Sequence, residues 1–260
     1  MPSWKFHEKW AKKLDLKYSP DVDKIIDKLD LHDKGRRSKI KWLMPNLGIM
    51  IESGISVMYF ELAKVYGYPV PKDVLKTAML HHLLDVYEKR CRDIGIKIVE
   101  FYSETTLLRY AADTLFKNIE RQCKYASDLY PVYLYGKKKN YLEEACDALD
   151  EVINDIIDRN LVKELKDDMI KHIREKTKSD KDLLPIGPLG LCEVLRDILS
   201  HGIIEVNSQP LPIASACKKI ISELSKNNKV KIELSTKKGR KTIIARNIDE
   251  LLKEISKLLN

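Results

Sequence analysis

Apolar residues recur every three or four positions along most of the chain between residues 3 and 178, a spacing typical of amphipathic α-helices. The second predicted helix starts with Ser19 as its N-cap and Pro20 at its first position, which are favoured residues there. Further helices are predicted over about 46–67, 72–90, 104–126 and, as one or two helices, 141–178. This part of the sequence therefore predicts an all-helical domain.

The pattern changes at "SDKDLLPIGPLGL", residues 179–191, where two prolines and two glycines predict a linker. Helices are predicted over about 191–202 and 212–225. "KVKIELSTKKGRKTIIARN" follows as a hairpin around a Lys-Lys-Gly-Arg turn, and a last helix covers 248–259. The predicted fold is mostly α, with a helical domain at 1–180 and a small α+β module at 191–260. Its helix–helix–hairpin–helix order and basic hairpin tip are winged-helix-like.

The balance of charge favours an anionic partner. The chain has 47 Lys and Arg residues against 39 Asp and Glu, a net charge of +8, which suits nucleic acid, nucleotides or acidic surfaces. The basic excess is mostly Lys, and surfaces rich in Lys and Glu are also typical of heat-adapted proteins. Composition alone therefore leaves the nucleic-acid partner open.

Cysteine usage and the N-terminal segment bear on the compartment. The five cysteines are isolated and form no CxxC pair, which excludes a zinc ribbon or a disulfide framework and indicates reduced thiols. The segment "MPSWKFHEKW" carries charge where a signal peptide needs an apolar core, and no apolar run approaches the ~20 residues of a membrane span. We expect a cytoplasmic protein without a membrane partner.

Several ionisable residues lie on the apolar faces of separate predicted helices. They are His7, His32, Asp33, Glu52, His81, His82 and, next to Ala112, Asp113. Burying such a group without a partner costs several kcal/mol, roughly. A single one is usually a core histidine bonded to a backbone carbonyl. Several on different helices are explained together by a divalent cation, since imidazole and carboxylate are metal ligands. The pattern therefore favours a metal site.

The order of these residues resembles the HD-domain metal-dependent phosphohydrolases over roughly residues 4–120. The matching stretches are His7, the His-Asp pair in "LDLHDKGRRSK", "AMLHHLLD" and "LLRYAADTL". The resemblance implies an HD-type helical bundle with primary metal ligands His7, His32, Asp33 and Asp113, and with His81 and His82 serving a second ion. The implied cofactor is one or two divalent ions, Mn, Mg or a transition metal such as Fe, Ni or Co.

Glu52 departs from the family pattern, because many members have a histidine at that position. A glutamate there could bind a hard cation, act as a base, or mark a site with one metal, so the metal count stays open. Metal-bound water has a lowered pKa, which makes hydroxide available for in-line attack on phosphorus. The predicted catalytic residues are Asp33, which could orient that water, Arg36 and Glu52.

Basic residues in three places suggest a substrate larger than a nucleotide. Arg36, at a basic position of the family, could hold phosphate oxygens with Arg37 and Lys39; a solvated loop is the alternative. Tyrosines interleave with Lys137, Lys138 and Lys139, as in single-strand-binding surfaces, or else pack as a tyrosine-rich loop. A further cluster, with Lys238 and Arg240, marks the hairpin tip, which is also compatible with an ordinary exposed turn.

These clusters and the net charge predict metal-dependent hydrolysis of phosphodiester bonds in DNA or RNA. The C-terminal module would bind substrate or a protein partner. One alternative is an HD-type phosphohydrolase acting on free nucleotides. Another is a catalytically silent nucleic-acid-binding or scaffold protein, which Glu52 at a usual histidine position favours.

Overall fold

The structure is a computed structural model of the chain. It describes residues 3–28, 54–100, 102–129, 133–134, 137–138, 141–176, 188–226 and 228–259. Over these ranges the protein is mostly helical, with a small antiparallel four-stranded sheet towards the C-terminal end. The predicted mostly-α class is confirmed at this level. No helix in the described ranges combines the length and apolarity needed to cross a bilayer.

The helices follow the apolar periodicity of the sequence. In chain order they are α1 (Trp4–Lys13), α2 (Pro20–Lys28), α3 (Gly54–Tyr66), α4 (Lys72–Ile94), α5 (Ile96–Val99), α6 (Glu104–Leu129), α7 (Tyr141–Asp158), α8 (Val162–Lys176), α9 (Pro188–Ile198), α10 (Ile213–Ser225) and α11 (Ile248–Leu259).

Local chemistry explains where several of these helices begin and end. Helix α2 starts at Pro20, and the Asp21 N–H donates to Ser19 Oγ over 3.3 Å, as predicted for an N-cap. Asn160, with φ of 55°, lies between α7 and α8, so the segment 141–178 contains two helices. The first part of the helix predicted over 46–67 lies outside the described residues.

The four-stranded sheet is built from β3 (Ile203–Val206), β4 (Gln209–Pro212), β5 (Val230–Thr236) and β6 (Gly239–Ala245). Its strand order is β4-β3-β5-β6, and every neighbouring pair is antiparallel. Two short strands, β1 (Tyr133–Leu134) and β2 (Lys137–Lys138), form a separate antiparallel pair. The hairpin predicted around the Lys-Lys-Gly-Arg turn is β5–β6.

The sheet contains a second hairpin, β3–β4, that the sequence pattern did not predict. Asn207 and Ser208 both have positive φ, 51° and 64°, the conformation of a tight primed turn. Pro210 and Pro212 made β4 hard to predict, because proline cannot donate a hydrogen bond to a neighbouring strand. Proline is tolerated at the edge of a sheet, and β4 is an edge strand. The module therefore has two hairpins, and the helix predicted over 191–202 ends at Ile198.

The chain divides into two units, each made of two separate stretches. Unit 1 comprises Met1–Tyr87 and Leu108–Val162, and unit 2 comprises Glu88–Leu107 and Lys163–Asn260. In unit 2 one face of β5 is buried, with helices α9, α10 and α11 contributing to the same core. The domains predicted at 1–180 and 191–260 stay a prediction, since most of the linker lies outside the described residues.

Candidate metal centre

Three helices of unit 1 bring ionisable side chains together in the core. His7 from α1, Asp23 from α2 and His81 from α4 are 3%, 0% and 1% exposed. One potential ligand atom of each lies within 4.8 Å of the others. This group, found within the described part of the chain, could hold a metal ion.

The helices place these side chains because each lies beside the apolar stripe of its helix. His7 lies between the buried Phe6 and Trp10 on α1. Asp23 follows the buried Val22 on α2 and precedes Ile26 by almost one turn. Helix α4 is buried on every side over 77–85, which is why a histidine there faces other helices rather than solvent.

Asp23 contacts the same nitrogen of both histidine rings. Its Oδ1 lies 2.7 Å from His81 Nδ1 and 3.4 Å from His7 Nδ1. Its Oδ2 accepts a hydrogen bond from the Tyr18 hydroxyl over 2.5 Å. The two imidazole rings stand side by side, with centroids 4.1 Å apart. One carboxylate therefore faces both rings from one side.

A second carboxylate faces the opposite edge of the rings. Asp85, 7% exposed and one turn after His81 on α4, has its carboxylate oxygens 3.3 Å from His81 Nε2 and 3.7 Å from His7 Nε2. Asp27 Oδ1 lies 3.7 Å from His81 Nε2. The Trp4 indole N–H donates to Asp27 Oδ2 over 2.5 Å. The rings are thus held between carboxylates from α2 and α4.

The charges in this group perturb one another strongly. Burial alone would lower the pKa of His81, but hydrogen bonding to Asp23 and Asp85 and their negative charges raise this pKa to about 9. Burial opposes ionisation of Asp23, yet the neighbouring His7 and His81 rings and the Tyr18 hydroxyl hold its pKa well below the usual range. Burial and the Asp23 carboxylate raise the pKa of Tyr18.

The donor set fits a divalent cation. With neutral imidazoles, Asp23 and Asp85 leave two negative charges in the core, which a divalent ion would balance. Both ring nitrogens of His7 are buried and make no hydrogen bond of normal geometry to any described residue. Imidazole nitrogen and carboxylate oxygen are ligands that Zn, Fe, Ni, Co and Mn all accept. The identity of the ion is therefore open.

The structure brings two of the predicted metal ligands, His7 and His81, into one group. His82 is 6% exposed, and its ring centroid is 5.7 Å from that of His81, but it lies outside the group. Asp113 is exposed on α6 and is also outside it. The physical reason is its position: Ala111, Ala112 and Leu115 form the buried face, and Asp113 lies about 100° beyond Ala112 around the helix.

Many of the other predicted site residues lie outside the described residues. They are His32, Asp33, Arg36, Arg37, Lys39, Glu52 and Lys139. Lys137 and Lys138 form β2, which pairs with Tyr133 and Leu134. Lys238 is exposed in the β5–β6 turn, and exposed Arg240 lies 3.8 Å from Glu205.

Sequence reasoning missed the two buried aspartates of the group. Asp85 follows His81 by four positions in "HHLLD", a spacing that places both on one face of a helix. Asp23 stands between the core positions Val22 and Ile26. The spacing was a signal for Asp85, whereas a position beside an apolar stripe is a weak signal for Asp23, since Asp113 has such a position and is exposed. No family model matches the sequence, and no curated protein or solved structure is significantly similar to the chain.

Proposed function

We propose that the protein is a divalent-metal-dependent phosphohydrolase with an HD-type helical bundle, and that it cleaves phosphodiester bonds in nucleic acid. One observation supports this proposal above the others: three helices converge on a buried group of two imidazoles and a carboxylate. Such a group is costly in a core unless a cation or a proton offsets its charge.

The proposal gives the chain's own residues distinct roles. His7 and His81 supply nitrogen ligands, and the carboxylate of Asp23 orients the rings. A divalent ion in such a site supplies hydroxide near neutral pH for attack on phosphorus. His32, Asp33 and Arg36, which carry the family resemblance, would complete the site and hold phosphate oxygens.

Positive charge supports a polyanionic substrate. The chain has a net charge of +8, and Lys238 and Arg240 are exposed at the tip of the β5–β6 hairpin. Exposed cations on a hairpin can contact a phosphate backbone without reading sequence. We propose that this hairpin contacts DNA, RNA or an acidic protein partner.

A second candidate function is a catalytically silent nucleic-acid-binding or scaffold protein. The specific observation in its favour is that the buried group can offset part of its own negative charge. His81, with its pKa raised to about 9, is protonated near neutral pH and lies between Asp23 and Asp85. In this alternative the group is an internal ion pair that joins α2 to α4.

Elemental analysis and cleavage assays on the full chain separate these possibilities. Purified protein is incubated with Mn²⁺, Mg²⁺, Co²⁺ or Ni²⁺ and with labelled single- and double-stranded DNA, RNA and a panel of nucleotides. We expect metal-dependent cleavage of a polynucleotide, lost in His7→Gln and in His81→Gln. The control is His201→Gln, because His201 is exposed and belongs to unit 2.

Each other outcome favours a named alternative. Phosphate release from nucleotides with no polynucleotide cleavage supports a small-molecule phosphohydrolase. A folded protein that binds none of the ions and cleaves nothing supports the silent protein. Helicity of both variants is checked by circular dichroism, so that loss of activity is not confused with loss of fold.

A further inference from the structure

We propose that Asp85 is a metal ligand together with the Nε2 atoms of His7 and His81, and that Asp23 is a positioning residue rather than a ligand. This inference rests on the metal-dependent function proposed above and deepens it. It assigns to the two buried aspartates different roles that follow from their distances to the rings.

Contact lengths distinguish the two carboxylates. Ligands about 2.0–2.2 Å from a tetrahedral ion are separated from one another by about 3.3–3.6 Å. Asp85 Oδ2 lies 3.3 Å from His81 Nε2, and Asp85 Oδ1 lies 3.7 Å from His7 Nε2, so each oxygen is close to such an edge with one ring. Asp23 Oδ1 lies 2.7 Å from His81 Nδ1, which is a hydrogen-bond length and too short for two ligands of one ion.

The position of Asp23 also fixes which nitrogen is available. Its Oδ1 faces Nδ1 of both rings, so each ring is favoured as the tautomer that carries its proton on Nδ1. In that tautomer the Nε2 lone pairs are directed towards Asp85. A carboxylate behind a ligating histidine is a common arrangement, because it fixes ring orientation and raises ligand basicity.

Two further observations point to an ion at the Nε2 edge. His7 is 3% exposed, and its ring nitrogens make no hydrogen bond of normal geometry within the described part of the chain. Asp27, whose Oδ1 lies 3.7 Å from His81 Nε2, is 30% exposed. The Nε2 atoms and both Asp85 oxygens are themselves buried, and Asp27 is the partly exposed carboxylate beside them.

The test compares two aspartate variants, each with a matched control on the same helix. Asp85→Asn is paired with Asp93→Asn on α4, because Asp93 is exposed and ion-paired with Lys89. Asp23→Asn is paired with Asp21→Asn on α2, where Asp21 is 61% exposed. Co²⁺ affinity is measured by calorimetry and visible absorption on the full chain. Long-range ¹H–¹⁵N spectra of the Zn²⁺-loaded protein report the tautomer of each histidine.

We expect Asp85→Asn to weaken Co²⁺ binding by more than the roughly 100-fold upper range of outer-sphere changes. Asp23→Asn should weaken it by about 10–100-fold and change the tautomer equilibrium of both rings, an effect that a merely structural role would not produce. The wild-type protein should show protonated Nδ1 and metal-bound Nε2 in His7 and His81. Both control variants should bind Co²⁺ like the wild type.

The failures of the two proposals are distinguishable. If the wild-type protein binds neither Co²⁺ nor Zn²⁺, the proposed metal-dependent function fails and the ligand assignment fails with it. If the wild type binds and His7→Gln abolishes binding, but Asp85→Asn binds like Asp93→Asn, only the assignment is overturned. Metal-bound Nδ1 in either ring also overturns it.

Discussion

His81 Nδ1 lies 2.7 Å from Asp23 Oδ1, although the two residues are 58 positions apart in the sequence. This contact joins α4 to α2 in the core of unit 1, and Tyr18 anchors the other oxygen of the same carboxylate. The contact is an ion pair when the His81 ring is protonated and a hydrogen bond to a neutral ring when it is not. It therefore makes the stability of unit 1 depend on pH.

The first prediction concerns the pH dependence of the metal-free protein. The pKa of His81 is raised from 6.5 to about 9 in the folded state, so its stabilising contribution is complete below pH 6.5 and is lost as pH rises through 9. A shift of this size corresponds to roughly 3 kcal/mol. We expect the free energy of unfolding, measured in urea with a chelator present, to fall from pH 6.5 to 9.

His81→Gln provides the comparison, because glutamine does not titrate. Its free energy of unfolding should be lower than that of wild type at pH 6.5 and should lose most of the decline towards pH 9. An equal decline in both proteins would show that another group is responsible. At the acid end, the depressed pKa of Asp23 predicts a stabilising contribution present above about pH 4 and lost below it.

The second prediction concerns added metal. A ligand that binds only the folded state stabilises it by about 2.7 kcal/mol at a concentration 100 times its Kd. Trp10 is fully buried in unit 1 and Trp4 lies on the same helix, so tryptophan fluorescence reports the unfolding of this unit. We expect Co²⁺ to raise the fluorescence-detected Tm in wild type and not in His7→Gln. A similar rise in both would place the ion elsewhere.

The third prediction concerns a buried lysine in unit 2. Lys166 is 6% exposed, and its Nζ donates to the carbonyl oxygens of Glu100 and Tyr102 over 3.0 and 2.8 Å. Lys166→Met removes both bonds and leaves the carbonyls without this donor, at a cost of about 2–3 kcal/mol. Urea unfolding followed by circular dichroism measures it. Lys171→Met, at a side chain that is 75% exposed on α8, should change little; equal effects would contradict the prediction.

The fourth prediction concerns the turn between α4 and α5. Gly95 has φ of +87°, a conformation in which an L side chain is strained, although no atom lies within 4 Å of the position that an added methyl group would take. Gly95→Ala should therefore lower the free energy of unfolding by about 1–2 kcal/mol. Gly202→Ala is the control, since it also enters open space without a positive φ. Equal stability of the two variants would show that the turn relaxes.

Much of the fold could be predicted because local signals and tertiary structure agree. Ser19 and Pro20 start α2 as the sequence indicates, and the β5–β6 hairpin surrounds its predicted turn. The β3–β4 hairpin could not be predicted from the same rules. Its prolines are unfavourable in a strand, and only the tertiary position of β4 at the sheet edge makes them acceptable.

The candidate site was predictable only in part. His7 and His81 were found because a histidine within an apolar stripe is conspicuous, whereas Asp23 and Asp85 looked like ordinary helix-surface carboxylates. Asp113 lies next to the buried Ala112 and is nevertheless exposed, so adjacency to a buried alanine does not by itself bring a side chain into the core. Spacing along one helix identifies a face, but it does not reveal which residues of other helices meet that face.

The interleaved composition of the two units has a consequence for synthesis on the ribosome. Residues 88–107 emerge early, yet they belong to a unit whose other stretch begins at Lys163. Their apolar side chains therefore lack the rest of their unit until residues 163–260 have been translated. A nascent chain stalled before that point would expose a ready surface for aggregation.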